Sequence, residues 1–212
     1  FGEPSRISCV VHAGDGEFTD VERKAELGGN LHAKGMMIMQ AFLIAELELD
    51  QPLPFSASIV FEQSYGEVDG DSASLAELCA LISALSMQPI NQQIAVTGSV
   101  DQFGNVQPIG GANEKIEGFF EVCQRRGLTG KQGVILPTAN VRNLCLHPQV
   151  LEAVREGQFH LWAVENAAEA LPILTGLLFT PTEENEEGPN LLGLIQERIA
   201  VALVPERPRY PW

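Results

Sequence analysis

Phe55-Ser56-Ala57-Ser58-Ile59-Val60-Phe61-Glu62-Gln63 places apolar and polar side chains in alternation. Gly66 to Gly70 then interrupts the chain, and Ser72 to Ser86 carries leucine and isoleucine at helical spacing, ending before Pro89. A two-residue period marks a half-buried strand, and a 3.6-residue period marks a helix packed on one face. Strand, loop and helix in immediate succession predict an α/β arrangement. The same alternation continues on both sides. Upstream, Arg6 to His12 reads as a strand, Gly14-Asp15-Gly16 as a turn, and an apolar helix runs from Lys34 or Gly35 to about Leu49, stopped by Pro52 and Pro54. Downstream, Ile94 to Asp101 reads as a strand, Gly104-Asn105 as a hairpin turn, and Val106 to Ile109 as its return. Gly110-Gly111 opens a helix from Ala112 to Arg126. Gly133 to Leu136 is a short buried strand, Pro148 to Glu156 a helix, Phe159 to Val164 a strand and Ala167 to Leu174 a helix.

These elements predict one α/β (α+β) unit over residues 1–177. Thr180 to Pro189 is acidic and Pro-containing and reads as a linker; Leu191 to Val204 is an amphipathic helix able to dock on the domain or on a neighbouring subunit, and Pro205 to Trp212 reads as irregular. Residues 178–212 are therefore expected to form a separate C-terminal extension.

Composition narrows the function. The 212 residues carry a net charge of −15. Nucleic-acid binding needs clustered Lys and Arg to release counterions, so neither nucleic acid nor an anionic membrane surface is an expected partner. The apolar stretch from Met36 to Leu47 is broken by Gln40 and Glu46 and is too short for a membrane span. The chain opens at Phe1 without a basic leader, so no signal peptide is expected and the chain reads as part of something longer, or as a processed product. Cys9, Cys79, Cys123 and Cys145 are widely spaced, three of them on apolar periodic segments, which predicts a reduced, cytoplasmic protein without disulfides.

Two segments carry the chemistry. Asp69-Gly70-Asp71-Ser72-Ala73-Ser74 puts a hydroxyl among small residues at the start of a helix, where free N–H groups and the positive dipole end can stabilise an oxyanion. The same Asp-Ser pair also suits an ordinary N-cap. Gly110-Gly111-Ala112-Asn113-Glu114-Lys115 puts an amine on the first turn of another helix, in a chain with only three other lysines, Lys24, Lys34 and Lys131. A lysine acts as a base only when uncharged, against an ordinary pKa of about 10.4, and burial among packed helices favours that form. A solvated first-turn lysine is the plain alternative. There is no His-Glu-x-x-His and no Cys/His cluster with zinc spacing, so no metal is expected. His12, His32, His147 and His160 read as structural or surface residues. Gly127 to Gln132 lacks the length and terminal Ser/Thr of a phosphate loop, so no ATP site is expected within this chain.

Taken together, the serine motif, Val96-Thr97-Gly98-Ser99-Val100, and Gly104-Asn105-Val106-Gln107-Pro108-Ile109-Gly110-Gly111-Ala112-Asn113-Glu114-Lys115 resemble the proteolytic domain of Lon proteases, nearer the B-type and Lon-related group than the A-type. The similarity extends upstream to Asp20-Val21-Glu22-Arg23-Lys24 and His32-Ala33-Lys34-Gly35, and downstream to Leu136-Pro137-Thr138-Ala139-Asn140. The resemblance implies a compact domain of mixed sheets and flanking helices. It implies a serine endopeptidase with a Ser-Lys dyad, acting on unfolded or misfolded polypeptides through an acyl-enzyme. Ser72 would be the nucleophile and Lys115 the base. Thr97 would orient the amine, and Asp69 and Asp71 could pair with it. The N–H of Ser72 would be an oxyanion donor, and Phe61, Glu62, Gln63 and Ser64 would receive substrate as an added strand. The resemblance further implies a hexameric ring and an ATP- and Mg-dependent ATPase module outside this chain. Ser99 stands where the A-type pattern has Glu, and the A-type histidine is missing from Gln63 to Asp71. A non-catalytic assembly module of the same fold, or an amidase acting on small substrates, are the competing functions.

Overall fold

The computed structural model describes residues 1–204; the tail expected to be irregular, Pro205 to Trp212, lies outside the described residues. In chain order the elements are β1 (Arg6–Ala13), β2 (Phe18–Asp20), α1 (Val21–Lys24), α2 (Asn30–Leu47), β3 (Phe55–Glu62), α3 (Ser74–Ser86), β4 (Ile94–Val96), β5 (Ser99–Val100), β6 (Val106–Gln107), α4 (Ala112–Arg126), β7 (Gly133–Pro137), a 3-10 turn (Thr138–Asn143), α5 (Pro148–Arg155), β8 (His160–Val164), α6 (Ala167–Thr175) and α7 (Leu191–Ala202). The mixed α/β character read from the sequence is what is observed. β3 is the centre of a mixed sheet, antiparallel to β1 and parallel to β2. β7 is the centre of a parallel sheet between β4 and β8. β5 and β6 form the expected hairpin around Gly104, whose φ of +81° only glycine adopts without strain.

The layers meet on α3. Leu75, Leu78, Leu81, Ile82 and Leu85 are each 0 % exposed. They are packed in one apolar cluster with residues of α2, β3, α6 and α7. A second cluster, with Ile116, Phe120 and Cys123 of α4 and Phe159 at its centre, lies under the parallel sheet. The helix after the acidic segment docks on the domain itself. Leu191, Leu192, Ile195 and Ile199 are buried in the main cluster, and Arg198 donates from Nη1 to the carbonyls of Ala84 and Leu85, both at 2.9 Å, closing the C-terminal end of α3.

Several boundaries differ from the sequence reading, and the three that bear on the site have physical causes. α3 begins at Ser74 rather than Ser72, because Ser72 and Ala73 form a turn before it. The single strand expected from Ile94 to Asp101 is divided at Thr97-Gly98. There the Gly98 N–H donates to the Ser72 carbonyl at 2.9 Å, and the Leu75 N–H donates to the Gly98 carbonyl at 3.1 Å. α2 starts at Asn30, four residues before the expected Lys34. Its first N–H groups are satisfied from far along the chain: Asp69 Oδ1 accepts from Leu31 N at 3.1 Å and His32 N at 3.4 Å. The short β2, α1 and the 3-10 turn carried no clear periodic signal.

Candidate active site

Lys115 Nζ and Ser72 Oγ are hydrogen-bonded at 3.0 Å, although 43 residues separate them. Each is delivered by a turn. On the lysine side, Gly111 takes a left-handed φ of +67°, which turns the chain from β6 into α4, and Lys115 N–H donates to the Gly111 carbonyl at 3.0 Å. On the serine side, the N–H of Ser74 closes the turn onto the Asp71 carbonyl at 3.0 Å. The buried hydroxyl of Ser74 accepts from Val100 N at 3.0 Å. The turn that carries Ser72 is thus stitched to the β4–β5 junction at Ser72, Ser74 and Leu75.

Lys115 is half-buried, and that burial lowers its pKa from the ordinary value, with the Asp71 charge opposing the shift. The dyad opens on a cavity of about 640 Å³ lined by Phe61, Ala76, Val96, Thr97, Phe119 and Leu174, with Arg6 and Arg126 also on its wall. The backbone N–H groups of Ser72 and Ala73 have no acceptor among the described residues.

The other expected site residues fall into three groups. Thr97 is buried beside the dyad and lines its cavity, but its hydroxyl is not hydrogen-bonded to Nζ; its backbone N–H donates to Ile135 O at 3.0 Å. Asp71 lies close enough to act on the Lys115 charge and accepts a hydrogen bond from Ser99 Oγ at 2.8 Å, so the residue that departs from the A-type pattern holds this carboxylate in place. Asp69 caps α2 instead of facing the amine. Its acidity is enhanced first by the Gly70 backbone N–H and further by those of His32 and Leu31. Of the segment expected to meet substrate, only Phe61 lines the cavity. Its N–H is already engaged by Glu22 Oε1 at 3.0 Å, while Glu62 Oε1 accepts from Ser8 Oγ at 2.6 Å. Gln63, at φ +54°, ends the strand, and Ser64 is half-buried.

Sequence reasoning missed a buried group next to the site. His32 is 2 % exposed and lies between Asp20 and Glu77, with Glu22 close by. The available signal was Glu77 itself, a carboxylate on the face of α3 that otherwise carries Leu75, Leu78, Cys79 and Leu81. Among the described residues, no group of His, Cys, Asp and Glu has the geometry to hold a metal, and no helix is long and apolar enough to cross a membrane.

Comparison with known sequences shows the family. Residues 63–175 match the family model of the Lon protease (S16) C-terminal proteolytic domain. A Lon protease homolog of Escherichia coli is 68 % identical over 213 aligned residues, covering 100 % of this chain and 36 % of that protein. One from Haemophilus influenzae is 58 % identical, covering 94 % and 33 %. An archaeal Lon protease from Thermococcus kodakarensis is 38 % identical over 119 residues, covering 56 % of this chain and 17 % of that protein. The chain therefore spans about a third of the length of its two more similar relatives. The turns that carry Ser72 and Lys115, Asp69 to Ser74 and Gly110 to Lys115, both fall inside the matched region, and the chain belongs to the Lon protease (S16) C-terminal proteolytic domain family.

Proposed function

We propose that this chain is a serine endopeptidase unit in which neutral Lys115 activates Ser72. The observation that carries the reading is the 3.0 Å approach of Nζ to Oγ by an amine whose charged form is disfavoured by burial. Lys115 Nζ takes the hydroxyl proton as Oγ attacks the scissile carbonyl carbon. The negative charge moves to the carbonyl oxygen, where the unengaged N–H groups of Ser72 and Ala73, next to the start of α3, are suited to receive it. The Lys115 ammonium then gives its proton to the leaving amide nitrogen, the C–N bond breaks, and an ester to Ser72 remains. A water molecule loses a proton to Nζ, attacks the ester, and the acid product leaves as Oγ regains the proton.

Asp71, held by Ser99, limits how far the Lys115 pKa falls and stabilises the ammonium formed in each half-reaction. Thr97, on the wall of the same cavity, is assigned to orient the amine. The apolar cavity, walled by Phe61 and Phe119, suits extended, unfolded polypeptide. Because the chain spans about a third of its relatives, we assign ATP- and Mg-dependent unfolding to a module outside it. A homo-oligomeric, hexameric ring in the cytoplasm is part of the same reading.

The test is digestion of casein and of a short fluorogenic peptide by the wild type, Ser72→Ala and Lys115→Ala. Both variants are expected to fold and to lose at least about 1,000-fold in kcat. Cleavage of the peptide but not of casein would point to an amidase for small substrates. A wild-type chain that assembles but labels with no serine-directed reagent would be an assembly module.

A further inference from the structure

The buried group around His32 is unused by the chemistry above, yet it is attached to both flanks of the nucleophile turn. Asp69 precedes Ser72 by three positions, and its carboxylate accepts the His32 backbone N–H at 3.4 Å. Glu77 follows Ser72 by five positions, and its Oε1 is 3.5 Å from His32 Nδ1. On the opposite side of the ring, Nε2 is 3.2 Å from Asp20 Oδ2. The ring also packs edge-on against Phe61, with centroids 5.7 Å apart. The charged groups facing His32 are therefore Asp20 from β2, Glu22 from α1, Glu77 from α3 and Asp69 from the loop before α3. Glu77 is 1 % exposed and Glu22 4 %. Asp20 Oδ2, Glu22 Oε2 and Glu77 Oε1 are buried without an aligned hydrogen-bond partner. A buried carboxylate oxygen without a donor is costly, and for Glu77 a proton is the partner at hand.

We propose that His32 is a positioning residue for Ser72, and that one proton shared between its ring and Glu77 holds the nucleophile turn in the register that brings Oγ to Lys115. The inference rests on the Ser72–Lys115 reading. Imidazolium with carboxylate, or imidazole with carboxylic acid, each puts one hydrogen between Nδ1 and Oε1. With that proton gone, a ring lone pair faces a carboxylate in a site closed to water, and the contact becomes repulsive. The surroundings favour keeping the proton: the hydrogen bond to Asp20 raises the His32 pKa, and burial pushes Glu77 up to about 7. Loss of the proton thus makes a descending alkaline limb in Ser72 reactivity, opposite in sense to the ascending limb that deprotonation of Lys115 makes.

The test is the rate at which a fluorophosphonate labels Ser72 in the full chain, from about pH 5 to about pH 10. Glu77→Gln keeps the shape and removes the titration. A neutral amide donates to or accepts from either tautomer of the ring, so the descending limb is expected to flatten while the ascending limb stays. His32→Gln is expected to lower kcat on the fluorogenic peptide by about 10- to 100-fold with KM changed less than about twofold. An unchanged descending limb in Glu77→Gln, or a His32→Gln enzyme with wild-type kcat, overturns the inference. If His32→Gln fails to fold, the Glu77→Gln profile decides. A readout independent of activity separates this inference from the dyad: imidazole 15N NMR of the Ser72→Ala chain. The His32 ring nitrogen resonances are expected to change on alkalinisation from about pH 6, at a pH that moves in Glu77→Gln. Ring resonances that stay unchanged between about pH 5 and about pH 10 contradict the inference, even where Ser72 and Lys115 behave as assigned.

Discussion

The Ser72 and Lys115 sides of the proposed dyad differ in how they are placed. Lys115 is placed mainly by near neighbours, the left-handed Gly111 and the first turn of α4, with the preceding Ile109 held by two hydrogen bonds to the Asn140 side chain. Ser72 is placed by distant parts of the chain. Its turn is tied to Gly98 and Val100 by backbone and hydroxyl hydrogen bonds, to α2 through Asp69, and to the His32 group through Glu77. An amine set mainly by its own turn is less exposed to changes elsewhere in the molecule than a hydroxyl held by several long-range contacts.

The sharpest way to break this asymmetry is Gly98→Val. A Cβ at that position already meets the Leu75 and Val106 side chains at 3.0 and 3.1 Å, and further branching would push β4 away from the nucleophile turn. We expect a loss of about 1–3 kcal/mol in denaturant unfolding and about 100-fold in kcat, with the pH dependence of Lys115 preserved. A variant with reduced stability but unimpaired kcat would show that Ser72 does not depend on this junction.

Next in size is Ser74→Ala, which leaves the buried Val100 N–H without its acceptor. The expected cost is about 1–3 kcal/mol by chemical unfolding, with kcat reduced about tenfold. On the lysine side, Gly111→Ala strains a φ of +67° and should cost about 1 kcal/mol, with kcat changed less than about threefold. If Gly111→Ala harmed turnover more than Ser74→Ala did, the contrast between local and distant placement would fail.

The two regions should also respond to pH with opposite sign. In the folded chain Glu77 is raised from 4.5 to about 7, and His32 is raised above 6.5. The folded state then binds more protons than the unfolded one, so this group favours folding most below pH 4.5 and progressively less as pH rises through about 7. Lys115 is lowered, so its charged form opposes folding at neutral pH, and that penalty fades as pH rises toward 10.5. Thermal unfolding across pH should therefore show the neutral-range decline lessened in Glu77→Gln and the alkaline recovery lost in Lys115→Met. The smallest effect is expected for Ser99→Ala, which frees Asp71 and should change kcat about three- to tenfold.

The same asymmetry decided what could be read in advance. The lysine segment announced itself through Gly104-Asn105, Gly110-Gly111 and the helix that follows, all signals of short range. The serine motif was visible as a motif, but its setting was not. Nothing near Asn30 says that Asp69 will cap that helix, and nothing in Ile94 to Asp101 says that the strand will part at Gly98 to receive Ser72. Asp69 fitted the expected aspartate by position, yet its carboxylate meets the α2 N-terminus. His32, Asp20, Glu22 and Glu77 lie on four separate elements, and only the fold brings them together.

The central claim is that Lys115 stands beside Ser72 as an amine biased toward its uncharged form. Lysine side-chain 13C NMR tests it directly, because the chain holds only four lysines and Lys115→Met assigns the resonance. The Lys115 titration is predicted to have its midpoint below 10.5, and Asp71→Asn should lower it further by removing the one opposing charge. A Lys115 midpoint at or above 10.5 in the folded chain would contradict the account.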